Sequence, residues 1–190
     1  RHMSYRILRA AKNRYGATNE IGVFEMDDTG LREVPNPSQM LLEGRLTDEP
    51  GTCVTCVMEG ARPVLAEVQA LLTPSAFGNP RRSTNGFDYN RAMLLMAVLE
   101  KRGGLAVNTC DAYLNVIGGL SLDEPGADLA AVLALASSFR DKPVPADLVA
   151  VGEVGLTGEL RSVSALNQRL SEIHRLGFKK CLVPKRHGKQ

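Results

Sequence analysis

Between residues 46 and 184 strand-like and helix-like patterns alternate, and this alternation limits the fold more than any other feature of the sequence. Apolar and β-branched residues predict strands at 52–59, 63–72, 112–117, 147–152 and 180–183. Helices are predicted at 89–102, 127–139 and 164–176. Asp88 is expected to cap the first of these helices, and Gly177 to end the last. Such an order predicts an α/β or α+β domain in which helices cover a sheet.

The first 45 residues form a separate unit by their pattern. Strands are predicted at 5–11, 20–26 and 31–34, and Asn36 followed by Pro37 marks the start of a short helix. These elements are too few to bury an apolar core, so we expect them to be the last pieces of a larger domain. The residues Arg1, His2 and Met3 are interpreted as a cloning remnant, and the chain as a fragment. The predicted domains are therefore 1–45 and 46–190.

Composition is that of an ordinary globular protein, with 44% hydrophobic and 23% charged residues. No apolar run approaches the ~18 residues that a membrane span needs, and no secretion signal is present. Four scattered cysteines without such a signal favour a reducing cytoplasm. The sequence contains no GxxxxGK[ST] phosphate loop, no HExxH and no GxSxG, so it offers no nucleotide, zinc-peptidase or hydrolase site of those kinds.

Cys53 and Cys56 have the CxxC spacing of metal and redox sites. They lie in a predicted strand, where residues three apart point to opposite faces, and no second CxxC or nearby histidine completes a zinc set. We therefore predict a structural role for both thiols and no metal in this chain.

Charge is distributed unevenly although the net charge is only +2. Residues 116–160 carry seven acids and two bases, whereas residues 161–190 carry eight bases and one acid. This unevenness is explained either by solvated helix faces or by one face that binds an anionic partner.

The segment 73–87 is predicted to be a long polar loop, and it contains Arg81 and Arg82 next to hydroxyl and amide side chains. Guanidinium groups in such a setting suit DNA backbone phosphates. Arg91 and the basic face of the last helix around Arg169 and Arg175 are expected to add to this DNA contact. The alternative is a loop at a subunit interface that pairs with acids of a neighbouring subunit.

Residues 152–170, GEVGLTGELRSVSALNQRL, resemble the C-terminal part of a Lon-type peptidase domain. In that pattern the catalytic lysine position falls on Asn167, and the serine position falls on Ala127 within EPGADLAAV. A Ser-Lys dyad needs a hydroxyl nucleophile and an amine base, which alanine and an amide cannot supply. The resemblance therefore implies a Lon-protease-like fold without peptidase chemistry.

Residues 12–16, KNRYG, resemble the KNRFG motif of the RadA (Sms) family of bacterial RecA-like DNA repair ATPases. The match continues at residues 62–63, 67–69, 80–82, 90–91, 100–103 and 152–153. Lys12 and Arg14 are two residues apart, so on a strand they point the same way and suit an anion. The resemblance implies the last strands of a RecA-like core followed by a Lon-like domain, with Lys12 and Arg14 contacting a nucleotide held by the neighbouring subunit. It also implies ATP and magnesium in the longer protein and a zinc finger upstream of this chain.

The function that the resemblance implies is a non-enzymatic DNA-binding and ring-assembly domain of a repair ATPase that processes recombination intermediates and promotes branch migration. The expected partners are single-stranded, duplex or branched DNA, further copies of the chain in a homohexameric ring, and RecA recombinase or other recombination proteins, with no membrane. One alternative is a purely oligomeric scaffold. Another is a peptidase with a displaced dyad, formed by Ser121, Ser137 or Ser138 with Lys142.

Overall fold

The computed structural model describes residues 5–9, 21–27, 30–33, 36–76 and 78–185. The described N-terminal residues form an antiparallel sheet in the order β1 (Tyr5–Arg9), β2 (Ile21–Asp27) and β3 (Gly30–Glu33). This agrees with the strands predicted there. Lys12 and Arg14 lie outside the described residues, so their predicted role stays a prediction.

The main sheet has six strands and mixed directions. Its members are β4 (Thr52–Glu59), β5 (Arg62–Pro74), β6 (Arg82–Asn85), β7 (Cys110–Val116), β8 (Leu148–Ala150) and β11 (Lys180–Leu182). The spatial order is β11-β8-β4-β5-β7-β6, in which β4–β5 and β5–β7 are antiparallel and the other pairs are parallel. A separate small hairpin consists of β9 (Glu153–Val154) and β10 (Leu160–Arg161).

Four α-helices accompany the sheet in the described part: α1 (Pro37–Leu42), α2 (Tyr89–Lys101), α3 (Asp128–Arg140) and α4 (Leu166–Arg175). The predicted cap of α2 is confirmed, because the Asp88 carboxylate accepts a hydrogen bond from the Arg91 backbone N–H at 2.8 Å. Gly177, with a φ of 85°, follows the end of α4 as predicted. None of the described helices is long and apolar enough to cross a membrane.

The sheet separates two apolar layers. One layer joins α2 and α3 to residues such as Val57 and Val68, and the other joins α4 to residues such as Val54 and Leu65. The strand period of two explains this division, since successive side chains of β4 and β5 point to opposite faces. The predicted α/β architecture, with helices covering a sheet, is confirmed.

Local structure differs from the sequence prediction at two places. The predicted loop 73–87 contains β6, which pairs with β7 at the sheet edge. The four residues of β6 are alternately half-buried and exposed. All four are polar, so the sequence shows no alternation of apolar and polar residues that would predict a strand here. The β9–β10 hairpin was not predicted either, since each strand has only two residues. Helix α2 buries one side, and Leu94 lies exposed on its outer flank.

The predicted boundary at residue 45 stays a prediction. Helix α1 lies before it, yet α1 packs on the main sheet, where the Ser38 hydroxyl accepts a hydrogen bond from the Leu65 backbone N–H at 2.9 Å. Shortly after α1, the Arg45 guanidinium donates to the Ala146 carbonyl at 2.9 Å. Helix α1 is therefore attached to the second unit in space.

Candidate functional site

The peptidase-like positions lie at the beginnings of α3 and α4. A 3₁₀ turn, Pro125–Ala127, precedes α3, and Ala127 in it is completely buried. Asn167 is the second residue of α4 and is exposed. The residue of the turn that faces the α4 region is Gly126, because a Cβ there would lie 3.0 Å from Arg169 Nη1 and 3.2 Å from Val163 Cγ1. Neither Gly126 nor Ala127 carries a hydroxyl, and Asn167 carries no amine.

A buried arginine occupies the space between these two helix starts. Arg169 forms an ion pair with Glu124, and Nη2 lies 2.9 Å from Glu124 Oε2. It also donates from Nη1 to the Cys56 carbonyl at 2.8 Å and from Nε to the Ser164 carbonyl at 2.9 Å. Glu124 Oε1 accepts a further bond from the Met58 backbone N–H at 3.1 Å. These five residues, which we call the Arg169 cluster, connect α4, β4 and the turn before α3.

Arg169 is therefore not part of an exposed basic face, and its prediction as a DNA contact is wrong. Its side chain is fully buried and points the same way as Ile173, one helical turn later. The sequence pattern of α4 assigned Arg169 to the solvent side because charged residues are almost never fully buried unless they are paired. The partner, Glu124, is 45 residues away in the sequence, so no local signal identified the pair.

A second ion pair joins Arg91 to Asp128, which is buried at the start of α3. Arg91 Nε donates to Asp128 Oδ1 at 2.9 Å, and Nη2 donates to the Val154 carbonyl at 3.0 Å. The Val154 backbone N–H returns a bond to Asp128 Oδ2 at 3.1 Å. The hydrogen bond with Asp128, together with its charge, raises the pKa of Arg91 above its ordinary value. Because Asp128 compensates its charge, Arg91 is not the free phosphate contact that the sequence predicted.

A cavity of about 310 Å³ lies beside this pair, at the N-terminal ends of α2 and α3. Four carboxylates line it, and Arg91 is the base among its lining residues. An acidic cavity of this kind repels phosphate groups. Neither Glu124 nor Asp128 was predicted as a site residue, because their only signal in the sequence is the excess of acids between 116 and 160.

Arg81 and Arg82 keep uncompensated charge. Arg81 is exposed, its backbone N–H donates to Asp111 Oδ1 at 2.7 Å, and its guanidinium has no ion pair within the described ranges. Arg82 is half-buried and donates to the carbonyls of Val107 and Asn108, each at 3.3 Å. These acceptors are neutral, so the Arg82 charge remains. The two arginines lie together at the start of β6, on the sheet edge.

Arg175 is exposed on α4 and pairs with Glu172 three residues earlier. The hydrogen bond to Glu172 raises the pKa of Arg175, and the carboxylate compensates part of its charge. The predicted basic face of α4 is thus reduced to one paired arginine in this helix.

The two cysteines with CxxC spacing, Cys53 and Cys56, are buried in the described part. Cys53 and Cys56 belong to opposite apolar layers, as predicted, and burial raises the pKa of each thiol from 9.0 to about 12. Protonated thiols are neither metal ligands nor nucleophiles. No group of three or more His, Cys, Asp or Glu residues able to hold a metal occurs in the described ranges.

The displaced dyad is not assembled at the buried serines. The Ser137 hydroxyl accepts from the Gly51 N–H at 2.9 Å and donates to the Lys142 backbone carbonyl at 2.5 Å. The Ser138 hydroxyl accepts from the Leu72 N–H at 2.9 Å. Ser121 is exposed and has no hydrogen bond to a lysine within the described residues. Among the described residues, the contact of Ser137 with Lys142 is to the lysine backbone and not to its amine, so no serine–lysine dyad supports this alternative.

The part of the chain that contains the starts of α3 and α4 is similar to a Lon-type C-terminal domain. Residues 109–190 match the family model of the Lon protease (S16) C-terminal proteolytic domain. Over 185 residues, or 97% of this chain, the sequence is 57% identical to the DNA repair protein RadA of Streptococcus pneumoniae and, separately, to that of Bacillus subtilis. The RadA protein of Halalkalibacterium halodurans is 54% identical over 184 residues. The chain is therefore similar to the C-terminal region of these RadA proteins. It spans 44%, 40% and 40% of the lengths of these three relatives.

Proposed function

We propose that this chain is a non-enzymatic DNA-binding and ring-assembly domain of a RadA-type DNA repair protein, built on a Lon-type fold that has lost peptidase activity. The observation that carries the proposal is the content of the peptidase-like site. Gly126, Ala127 and Asn167 offer neither nucleophile nor base, and the buried Arg169–Glu124 pair lies between them.

Peptide hydrolysis by a Ser-Lys dyad requires a neutral amine beside the hydroxyl, and that amine needs an apolar environment to lower its pKa. The Arg169 guanidinium is a hydrogen-bond donor already bonded to Glu124, and it cannot act as such a base. Its four hydrogen bonds are directed at fixed partners within the fold. The site is thus suited to hold α4, β4 and the α3 turn in place.

DNA contact is proposed at the start of β6. Arg81 supports this assignment because its guanidinium is exposed and free of ion pairs within the described part, and Arg82 adds uncompensated charge beside it. Arg175 is proposed as a weaker, peripheral contact because Glu172 compensates part of its charge. A ring repeats each contact once per subunit, so weak single contacts add up along one DNA molecule.

The decisive experiment measures anisotropy of fluorescent single-stranded and duplex DNA at about 50 mM and 200 mM salt. We expect Arg81→Glu to lower the affinity and to reduce the slope of log K against log salt by roughly one unit per duplex phosphate lost. Arg140→Glu is the matched control, since Arg140 is also an exposed arginine but lies at the end of α3. A folded Arg81→Glu protein with unchanged affinity would eliminate the β6 contact. Self-association without binding to either DNA form would instead support the purely oligomeric scaffold.

In the longer protein, Lys12 and Arg14 are proposed to contact the phosphates of a nucleotide held by the neighbouring subunit, as the KNRYG motif implies. ATP and magnesium would then bind mainly outside this chain, and zinc in an upstream finger. A role with recombination proteins such as RecA recombinase belongs to the same proposal. Lys12→Ala in the longer protein should lower DNA-dependent ATP hydrolysis. The same substitution in the present chain should leave its DNA affinity unchanged.

A further inference from the structure

One half of the main sheet has a face that no described helix covers. The strand period places Gln69, Leu71, Asp111, Tyr113 and Asn115 on this face, opposite the α2–α3 layer. Leu71 and Tyr113 are paired across β5 and β7, and they remain 56% and 37% exposed. We call these five residues the open sheet face. Two adjacent exposed apolar side chains on a regular strand pair are typical of a contact surface.

A second exposed apolar surface lies along α2. The β9–β10 hairpin runs beside this helix, because the Val154 carbonyl bonds Arg91 near one end of α2 and Gly158 faces Arg102 at the other. The hairpin presents Leu156 and Leu160, which are 65% and 44% exposed.

The exposed Leu94 lies on the adjoining flank of α2, between Arg91 and Arg102. Positions 91, 94, 98 and 102 are three or four residues apart, so they lie along one side of the helix. Arg102 is an exposed cation beside these leucines and has no ion pair within the described part of the chain, whereas Arg161 in β10 is paired with Glu159 at 3.5 Å. We call Leu94, Arg102, Leu156 and Leu160 the hairpin patch.

These two surfaces lie on opposite sides of the domain. Helices α2 and α3 pack on the face of the sheet that carries Val68 and Leu114. Leu71 and Tyr113 are an odd number of positions away from these residues in β5 and β7, so their side chains point to the opposite face of the sheet. One copy therefore cannot bring its own hairpin patch onto its own open sheet face. A contact between the two surfaces can form only between two copies.

The two surfaces complement each other. Each has an apolar centre of two or three large side chains. The open sheet face contributes the carboxylate of Asp111, whose described bond is to the Arg81 backbone N–H, and the hairpin patch contributes the exposed guanidinium of Arg102. Opposite charge at the rim of an apolar contact favours the correct pairing.

We propose that the hairpin patch of one copy docks on the open sheet face of the next. This inference rests on the proposed ring assembly and names the surfaces that carry it. Since the two surfaces differ, the contact is head-to-tail, and repetition of such a contact closes into a ring when the rotation permits.

Two variants of the full chain test the proposal. Leu156→Asp blocks the hairpin patch, and Leu71→Asp blocks the open sheet face. Both side chains are more than half exposed, so folding should be retained. By light scattering, each variant alone should lose higher assembly. Mixed in equal amounts, they should form a 1:1 complex of twice the 20.5 kDa chain mass, because each retains the surface that the other lacks. The complex cannot grow further, since both remaining surfaces are blocked.

Leu46→Asp is the matched control, because Leu46 is 67% exposed and belongs to neither surface; this variant should assemble like the unmodified chain. If a variant shows an altered circular dichroism spectrum, Leu160→Asp and Tyr113→Asp replace the first pair. If the unmodified chain assembles but the mixture of the two variants stays monomeric, the two proposed contact surfaces are wrong, and the proposed ring assembly is unaffected. An unmodified chain that stays monomeric at high concentration and low salt would overturn both. Dimers formed by Leu71→Asp alone would show a symmetric hairpin contact instead.

Discussion

The Arg169 cluster yields the strongest quantitative prediction. Arg169→Met preserves much of the side-chain volume but removes the charge and all four hydrogen bonds to Glu124, Cys56 and Ser164. Removal of one member of a buried ion pair costs about 3–5 kcal/mol, because the other charge and its bonded carbonyls lose their partner. Glu124 keeps a 24% exposed side chain and its bond from Met58, so the lower half of that range is expected.

The assay is urea unfolding at neutral pH, followed by circular dichroism. At an unchanged m-value, the free energy of unfolding should fall by about 3–4 kcal/mol, and the thermal midpoint by roughly 10 °C for a chain of this size. The matched control is Arg175→Met. Arg175 lies on the same helix and pairs with Glu172, but it is exposed, so its loss should leave both quantities unchanged within error.

A double-mutant cycle separates the ion pair from general packing. Glu124→Gln alone should cost about 1–3 kcal/mol, because Arg169 would remain buried with weaker partners. The double variant should be more stable than the sum of the single losses predicts, since neither charge is left unpaired. Strict additivity, or a loss below about 1 kcal/mol for Arg169→Met, would refute the view that this pair holds α4 to the sheet.

Two further predictions concern the thiols and the peptidase-like site. Folding raises the pKa of Cys53 and Cys56 from 9.0 to about 12, so above pH 9 the unfolded chain loses these protons first. Stability should then fall between pH 9 and 12, by about 1.4 kcal/mol per thiol and pH unit. In a Cys53→Ala/Cys56→Ala protein this slope should be smaller, and an equal slope in both proteins would contradict the assignment. Ala127→Ser with Asn167→Lys should not produce casein hydrolysis above the buffer level, because position 127 is buried and a lysine base needs a desolvated site; measurable turnover would contradict this reading.

Much of the fold is encoded in local patterns that the sequence displays. The strand β4 agrees with the predicted range 52–59 at both ends, and the cap Asp88 and the terminator Gly177 lie where the residue types require them. The opposite orientation of Cys53 and Cys56 follows from the strand period alone. These features depend on neighbours within a few residues, so a single sequence is enough to predict them.

The candidate site depended on contacts that no local pattern contains. Five arginines were predicted to contact DNA, and the structure gives them different environments: Arg81 is free in the described part, Arg82 is bonded to neutral carbonyls, and the other three are paired with carboxylates. Their sequence neighbourhoods do not differ in a way that predicts this. The edge strand β6 is also invisible in the sequence, because its residues pair with residues of β7 that lie 30 positions later.

The sequence by itself determined the order of the helices and of the longer strands, the family resemblance and the absence of a serine and a lysine at the dyad positions, because each of these is a property of residue type and spacing. Only the tertiary structure decided which charges are available. Arg169 and Glu124 are 45 positions apart and meet because α4 and the α3 turn both pack on the edge of β4. The physical reason is that the cost of burying a charge is set by its partners in space, and those partners are fixed only when the sheet and its two helix layers are assembled.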